Sequence, residues 1–465
     1  MSRSRGQSFD LGSCGRNLLA SRCGGERRPF GVSTDAWHGR EVSPLPAPRL
    51  SFSGRTQTDE VRPNFRPDAC LPELSEWHGG DSVFISQDNL TALSALTSTH
   101  TASVDLVYID PPFATGSTFH HRSSLREDGE DARTVAFRDR FDGGLDGWLS
   151  MMWPRLRLMH TLLRPGGSFY LHVDPTTVHY ARVLLDEVFG SEGFQREIIW
   201  RIGWISGFKS AVKNWVRNHD VLLYYVKREV KGGRPATFNK LYLPYPTGYR
   251  RRDGQPPRGR GVPFDDVWNS HPLEHELMGG DSLDSIQIKS LSREKTGYPT
   301  QKNESLLRRI IQASSNPGDL VLDAFAGAST TGVVAASEGR RFLLIDASPV
   351  ALSVSRARLV SCRPPPSFQV LAPPPPSLDL ERLTFESGQL RVSADQPPGA
   401  RAVTAIYVDL DYQPPVFRCS AFALRDRADE RPLSLEFEPP PRGRTLAVQI
   451  DDEAGQCARG PLPVL

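Results

Sequence analysis

The chain has 465 residues, 38% of them hydrophobic, with 39 glycines, 39 prolines and a formal net charge of only +2. That length suits one large catalytic domain with accessory pieces or two to three ordinary domains, and the small net charge means that affinity for an acidic partner must come from local clustering. No apolar run approaches the ~20 residues of a membrane span, the start lacks the apolar core of a secretory signal, and the six scattered cysteines form no C-x-x-C pair; this argues against membrane, secreted and zinc-ribbon classes and fits a reducing cytoplasm.

Residues 1–72 are rich in Arg, Ser, Gly and Pro without helical or strand period, and are expected to be a disordered tail; a transit peptide has a similar composition. The pattern changes near residue 80. "SVDLVYID" (Ser103 to Asp110) reads as a buried strand. "GWLSMMWPRLRLMHTLL" (Gly147 to Leu163) has helical spacing and stops at "RPGG". A strand "SFYLHVD" (Ser168 to Asp174), a helix from Thr176 to Gly190 and a strand "HDVLLYYVK" (His219 to Lys227) follow. The helix "ESLLRRIIQASS" (Glu304 to Ser315) leads into "LVLDAFAGAST", another helix and the strand "RRFLLID" (Arg340 to Asp346). Apolar strands alternating with helices imply a doubly wound, mostly parallel α/β sheet covered on both faces, Rossmann-like in class. The predicted domain spans 73–362. A Pro-rich linker over 363–377 and a small β-rich appendage over 378–465 complete the chain.

Two stretches carry chemistry. In "VLDAFAGASTTGVVAASEGRRFLLID", a turn of small residues leads into a helix, and an acid closes the next strand. The turn brings backbone N–H groups to a helix N-terminus and the acid suits ribose hydroxyls, so the segment reads as a nucleoside-cofactor site. A dinucleotide site would want G-x-G-x-x-G, whereas only Gly327 stands here, which argues against a dinucleotide oxidoreductase. The second stretch is Asp110-Pro111-Pro112-Phe113, at a strand's carboxyl end, where doubly wound sheets collect ligands. The prolines offer carbonyls without N–H donors, so carboxylate, carbonyl and ring suit an exocyclic amino group on a planar base. Such acceptors strengthen as positive charge develops on that nitrogen during direct attack on an electrophilic methyl.

A base must leave the duplex to reach such a pocket, so a basic, partly aromatic surface is expected. The stretch Lys227 to Arg260 has ten Lys or Arg against Glu229 and Asp253, with Phe238, Tyr242, Tyr245 and Tyr249 interleaved. Arg250, Arg251 and Arg252 are the candidate phosphate contacts, within a basic insertion over about 203–265. His160, His172, His179 and His219 lack metal-ligand spacing and read as structural; no metal site is expected.

"DPPF", followed by "GYPTQKNESLLRRIIQASSNPGDLVLDAFAGASTT", resembles the beta-class amino (N6-adenine or N4-cytosine) DNA methyltransferases, in which the catalytic motif precedes the cofactor motif, and is similar to type III restriction-modification methylase subunits. The resemblance runs from Asp81 to Arg358, and "FDDVWNS" (Phe264 to Ser270) belongs to it. It implies S-adenosyl-L-methionine as cofactor and the permuted methyltransferase fold. Asp110, Pro111, Pro112 and Phe113 would hold the base. Asp323, Phe325 and Gly327 would surround the methionine part of the cofactor, Asp346 its ribose and Asp88 its adenine; Thr300 and Lys302 would lie near its carboxylate. Double-stranded DNA is the implied partner, which Arg250, Arg251 and Arg252 would bind, the basic insertion being part of the target-recognition region; a restriction endonuclease subunit and a homodimer stay open, and a bacterial, DNA-associated, cytoplasmic location is expected. Ala324, Ala328 and Ser329 replace the family's usual Pro, Ser and Gly, Asn303 stands where Pro is common, and Gln87 where Gly is. If position 329 needs positive φ, a Ser there costs ~1 kcal/mol or more. The resulting expectation is N6-adenine methylation; alternatives are an N4-cytosine enzyme, which more often carries Ser in place of this Asp, and a non-catalytic DNA-binding relative.

Overall fold

The computed structural model describes residues 49–53, 55, 82–123, 132–201, 212–245, 247–269, 294–372, 383–386, 389–392, 403–410, 420–425, 433–437, 445–452 and 454–462. In chain order the first part comprises β1 (Ser82–Ser86), α1 (Asn89–His100), β2 (Val104–Ile109), β3 (Ser117–Ser123), β4 (Ala132–Asp139), α2 (Leu145–Leu162), β5 (Leu163–Val173), α3 (Val178–Phe189), β6 (Phe194–Arg201) and β7 (His219–Val226). Short strands β8 (Tyr242–Leu243), β9 (Val262–Pro263) and β10 (Val267–Trp268) precede α4 (Glu304–Ser314), β11 (Leu320–Asp323), α5 (Thr330–Ser337), β12 (Arg341–Asp346), α6 (Pro349–Val360) and β13 (Phe368–Leu371).

Nine strands form one sheet in the order β10-β6-β7-β5-β2-β11-β12-β1-β13. All its pairings are parallel except the two made by β7. Strands buried on both faces need apolar side chains throughout, and alternate residues feed opposite layers. Val83, Val107, Ile109, Leu171 and Leu322 pack under α1, α2 and α3 through Leu93, Trp148, Leu156 and Leu184. Phe84, Leu106, Tyr108, Tyr170 and Leu344 face α4, α5 and α6 through Leu307, Ile311, Val334 and Leu359. This is a doubly wound sandwich around a mostly parallel sheet.

Asp105, the one charge inside β2, is explained by its partners. Its Oδ1 accepts from Arg164 Nε at 2.6 Å and Arg234 Nη1 at 2.8 Å, and its Oδ2 accepts from the Leu320 amide. Two guanidiniums and a backbone donor satisfy a buried carboxylate that would otherwise be costly.

The elements expected from Gly147, Thr176, His219, Glu304 and Arg340 onward all form, within a few residues of their expected ends. The helix start differs in detail at α3. Thr177 caps no amide with its side chain; instead Asp174 Oδ1 accepts from the amides of Thr176 and Thr177. Within the expected tail, residues 49–53 and 55 are docked: Phe52 is buried edge-on to Trp153, and Arg55 pairs with Glu187. The other residues of 1–72 lie outside the described residues.

Beyond β13, β14 (Leu383–Glu386), β15 (Gln389–Val392) and β18 (Ser434–Glu436) form an antiparallel sheet. A second joins β16 (Val403–Asp409), β17 (Ala421–Leu424), β19 (Leu446–Asp452) and β20 (Cys457–Leu462) in the order β17-β16-β19-β20. The buried pair Arg356–Asp451 ties β19 to α6. Among the described residues no helix is long and apolar enough to cross a membrane.

Candidate active site

Four neighbouring parallel strands deliver acids to one edge of the sheet. Asp110 follows β2, Asp323 ends β11, Asp346 ends β12, and Asp88 lies two residues beyond β1. Parallel strands direct all these carboxyl ends the same way, which is where ligands gather. Asp88, Asp110, Phe113, Gly327 and Asp346 line one cavity of 410 Å³, together with Thr300, Lys302, Asp323 and Phe325.

The Asp-Pro-Pro-Phe step is held from outside its own segment. The Trp148 indole donates to the Pro112 carbonyl at 2.7 Å. Asp139, at the end of β4, accepts from the amides of Ala114 and Thr115 and from the Thr115 hydroxyl. Beneath the step lies a buried relay: the Tyr108 hydroxyl meets His172 Nδ1 at 3.0 Å, and His172 Nε2 meets Asp220 at 3.4 Å. The Phe113 ring lies 6.1 Å from His172, tilted by 35°. Burial pushes the Tyr108 hydroxyl well above its ordinary value, with the Asp110 charge adding to it, so this phenol stays protonated. Asp220 is held down at about 2: burial opposes ionisation, but the bond and charge of His172, then Lys302 and Arg217, outweigh it.

Asp110 is not a bare carboxylate. Lys302 Nζ pairs with its Oδ2 and sits 5.5 Å from the centre of the Phe113 ring. The other oxygen, Oδ1, is buried without a hydrogen-bond partner. A buried acceptor left unmade is costly, which makes Oδ1 the atom of the cavity with most to gain from an N–H donor. Lys302, expected beside a cofactor carboxylate, is thus placed on the candidate catalytic acid; its own carbonyl accepts from the Thr330 hydroxyl.

The turn after β11 explains its small residues. Gly327 adopts φ 49°, its amide donates to Asp346 Oδ2 at 2.8 Å, and a Cβ there would meet the Tyr298 ring at 3.2 Å. Ser329, standing where the family has Gly, does take the left-handed conformation, φ 54° and ψ 35°. Its buried hydroxyl donates to Ser355 at 2.6 Å, and Ser355 in turn donates to the Gly327 carbonyl. That bond, worth about 1 kcal/mol, offsets a left-handed penalty of about the same size.

Asp88 caps α1 by accepting from the Thr91 amide, and it pairs with Arg155. Arg155 also donates to Asn89 Oδ1, and Asn89 donates to the Ala324 carbonyl at 2.8 Å, so the expected adenine-side acid is wired to the turn. Thr300 is exposed at the cavity rim with φ 57°. Gln301 locks this loop by accepting from the Thr296 amide and donating to the Glu294 carbonyl.

Asp323 faces inward, where its oxygens accept from the Phe325 amide and the Thr331 hydroxyl. Burial pushes its carboxyl up from 3.8 to about 7, the two hydrogen bonds resisting and the nearby Asp110 and Asp346 charges assisting. A folded-state value above the unfolded one favours the neutral form. Its contribution to stability is therefore full below about pH 4 and is lost as pH rises toward 7, by up to roughly 4 kcal/mol for an isolated group. Denaturation midpoints should accordingly fall more steeply over that window in the native chain than in Asp323→Asn. Parallel profiles would show that this carboxyl does not titrate there.

The basic stretch is less free than its composition suggests. Lys227 donates to the carbonyls of His160 and Leu163, and Arg234 is shared between Asp105 and Asp319. Tyr245 stacks on Tyr249 at 5.2 Å and donates to the Arg258 carbonyl, while Arg260 lies over Tyr242. Arg250 and Arg252 are exposed; Arg251 pairs with Asp253. Residues 202–211 of the expected insertion lie outside the described residues. No group of three or more His, Cys, Asp or Glu among the described residues could hold a metal ion.

Sequence reasoning missed Trp148, Asp139, Asn89, Arg155 and the Tyr108–His172–Asp220 relay. Trp148 sits on the apolar stripe of α2 and its only signal was that of a core residue. Asp139 ends a polar hairpin that carries no strand period.

Similarity to known proteins runs across the same region of the chain. The family model described as DNA methylase matches residues 104–356, more than half of the chain. The DNA adenine methyltransferase YhdJ of Escherichia coli K12 is 28% identical over 274 residues, 58% of this chain and 80% of that protein. The type II methyltransferase M.EcaI of Enterobacter cloacae is 28% identical over 335 residues, 61% of this chain and 70% of its own length. The Mod subunit of the type III restriction-modification enzyme StyLTI of Salmonella typhimurium is 28% identical over 214 residues, 42% of this chain and 31% of that subunit. The match begins at β2, takes in the Asp-Pro-Pro-Phe step and the Gly327 turn, and ends in α6: this chain belongs to the DNA methylase family.

Proposed function

We propose that this DNA methyltransferase acts on the exocyclic N6 of an adenine swung out of duplex DNA, with S-adenosyl-L-methionine as methyl donor. The observation that carries the reading is the shared cavity: the buried, unpartnered Asp110 Oδ1 and the Phe113 ring face the same 410 Å³ space as the Gly327 turn and Asp346. The residues fit that cofactor. Gly327 turns the chain at φ 49°, where a Cβ would crowd the Tyr298 ring, and Asp346 and Asp88 stand at the ends of neighbouring strands. When bound, S-adenosylmethionine supplies an electrophilic methyl group.

The chain's own residues do the rest. Asp110 Oδ1 accepts one amino N–H of the target, and the Pro111 carbonyl accepts the other. Phe113 packs on the base, with His172 below its ring and the preceding Pro112 carbonyl held by Trp148. Lys302 holds Oδ2, so the carboxylate presents a single acceptor in a fixed direction. Acceptors aimed at a nitrogen that gains positive charge favour the transition state over the ground state. The amino proton becomes acidic only as that charge develops, so no strong base is needed. Adenine is favoured over cytosine N4 by the Asp at position 110 and by YhdJ, whose name gives it as an adenine methyltransferase. The Mod relative motivates a restriction subunit as partner. DNA from cells expressing the chain should yield N6-methyl-2′-deoxyadenosine on digestion to nucleosides. N4-methyl-2′-deoxycytidine in its place would reassign the target base, and no modified nucleoside would reject the reading.

A further inference from the structure

The most exposed large apolar side chain among the described residues is Trp215, at 96%. It stands on a short segment, 212–218, that leads into β7. Because β7 runs antiparallel to β5, with Val221 opposite Val173, the segment enters the sheet at the edge where β5 ends. Strand β2 lies next to β5, with Ile109 opposite Leu171, so Asp110 leaves the sheet at that same edge. Trp215 therefore lies beyond the same edge of the sheet as the Asp-Pro-Pro-Phe step, on a segment that enters two strands away.

The segment is anchored to the site's floor. Arg217 donates to the His219 carbonyl at 3.2 Å and to Asp174 Oδ2 at 3.2 Å, and it pairs with Asp220. Asp220 is the acid under His172, which lies below Phe113. The Trp215 amide donates to the adjacent Asn214 Oδ1 at 2.7 Å, a contact that does not draw on the indole. Exposed Lys213 adds positive charge beside it, while the Arg217 charge is met by Asp174 and Asp220. An indole in water contributes nothing to the core, yet its backbone is bolted to the part of the fold that would hold the base.

Extruding a base costs stacking and pairing, and aromatic or apolar wedges that enter the stack recover part of it. Every base has a face on which an indole can stack, and the neighbouring Lys213 suits an adjoining phosphate. We propose that Trp215 enters the DNA at the target base pair and stacks in the space the extruded base vacates. This rests on the methyltransferase reading above and adds to it the residue that opens the duplex.

The test uses the full chain and a duplex carrying the sequence methylated in expressing cells, beside the same duplex with the target base mispaired. Trp215→Ala should lose about tenfold to a hundredfold in kcat/KM on the paired duplex, the range expected for one stacked base. On the mispaired duplex, where extrusion is already cheap, the loss should shrink to less than about threefold. Trp215→Phe should recover most of the efficiency on paired DNA. An unaffected Trp215→Ala enzyme, an equal loss on both duplexes, or a change in oligomeric state without a change in duplex preference overturns the proposal alone. A wild-type chain that methylates no DNA overturns the methyltransferase reading and this proposal with it.

Discussion

Asp110→Ala should abolish methyl transfer, lowering kcat by about 1000-fold, the size seen when one preorganised electrostatic partner of a transition state is removed. The substitution deletes both the free Oδ1 and the anion that holds Lys302. A buried cation without a partner is costly, so the variant should also unfold more readily, by up to about 3 kcal/mol. Asp110→Asn separates the two effects. It keeps the volume and one oxygen acceptor, and should retain more activity than the alanine variant while losing the ion pair equally. Cofactor affinity should stay within about threefold in both, under half of the 1.4 kcal/mol that a tenfold change represents, because Gly327 and Asp346 bond each other and not Asp110. Activity within tenfold of wild type in the alanine variant would remove Asp110 from the chemistry.

The largest stability effect should come from a pair that does not line the cavity. Arg356, on α6, donates to both oxygens of Asp451, on β19, at 2.8 and 2.6 Å, with side chains 6% and 0% exposed. Gln449 also donates to Asp451, and the Arg356 guanidinium lies 5.4 Å from the centre of the Tyr407 ring. Removing one partner strands a buried charge, so Arg356→Ala or Asp451→Ala should cost about 3–5 kcal/mol in chemical denaturation. Replacing both with apolar side chains of similar volume should restore much of the loss, because the desolvation penalty disappears with the charges. A loss below about 1 kcal/mol in either single variant would mean that water reaches the pair.

The elements that were legible in the amino-acid order are those whose pattern records burial. β2, β5, β7, β11 and β12 are apolar runs because both faces are covered, and α4 shows its stripe because only one face is. β1, five residues ending in Ser86, is too short to show a period, and β6 mixes Gln195, Arg196 and Glu197 with its buried Ile198 and Trp200. The hairpin β3–β4 is polar because it buries little.

The candidate site was legible where chemistry restricts residue type: an acid and two prolines at a strand end, glycine at φ 49°, an acid after the next strand. Its partners were not, since they depend on distant contacts. Lys302 lies 192 residues from Asp110, and Asp220 lies 48 from His172. The conditional cost placed on Ser329 met its condition, a positive φ, but the Ser355 hydroxyl that offsets it could be found only once α6 was packed against the turn.

The central claim is that Asp110 and Phe113 grip a flipped adenine beside the Gly327 turn. Its most direct test is nucleotide-resolution mapping of methylated bases in DNA from cells expressing the native chain or Asp110→Ala. The account predicts N6-methyladenine at one short sequence with the native chain and none above background with the variant. Unmodified DNA from the native chain, or an undiminished mark with the variant, would contradict it.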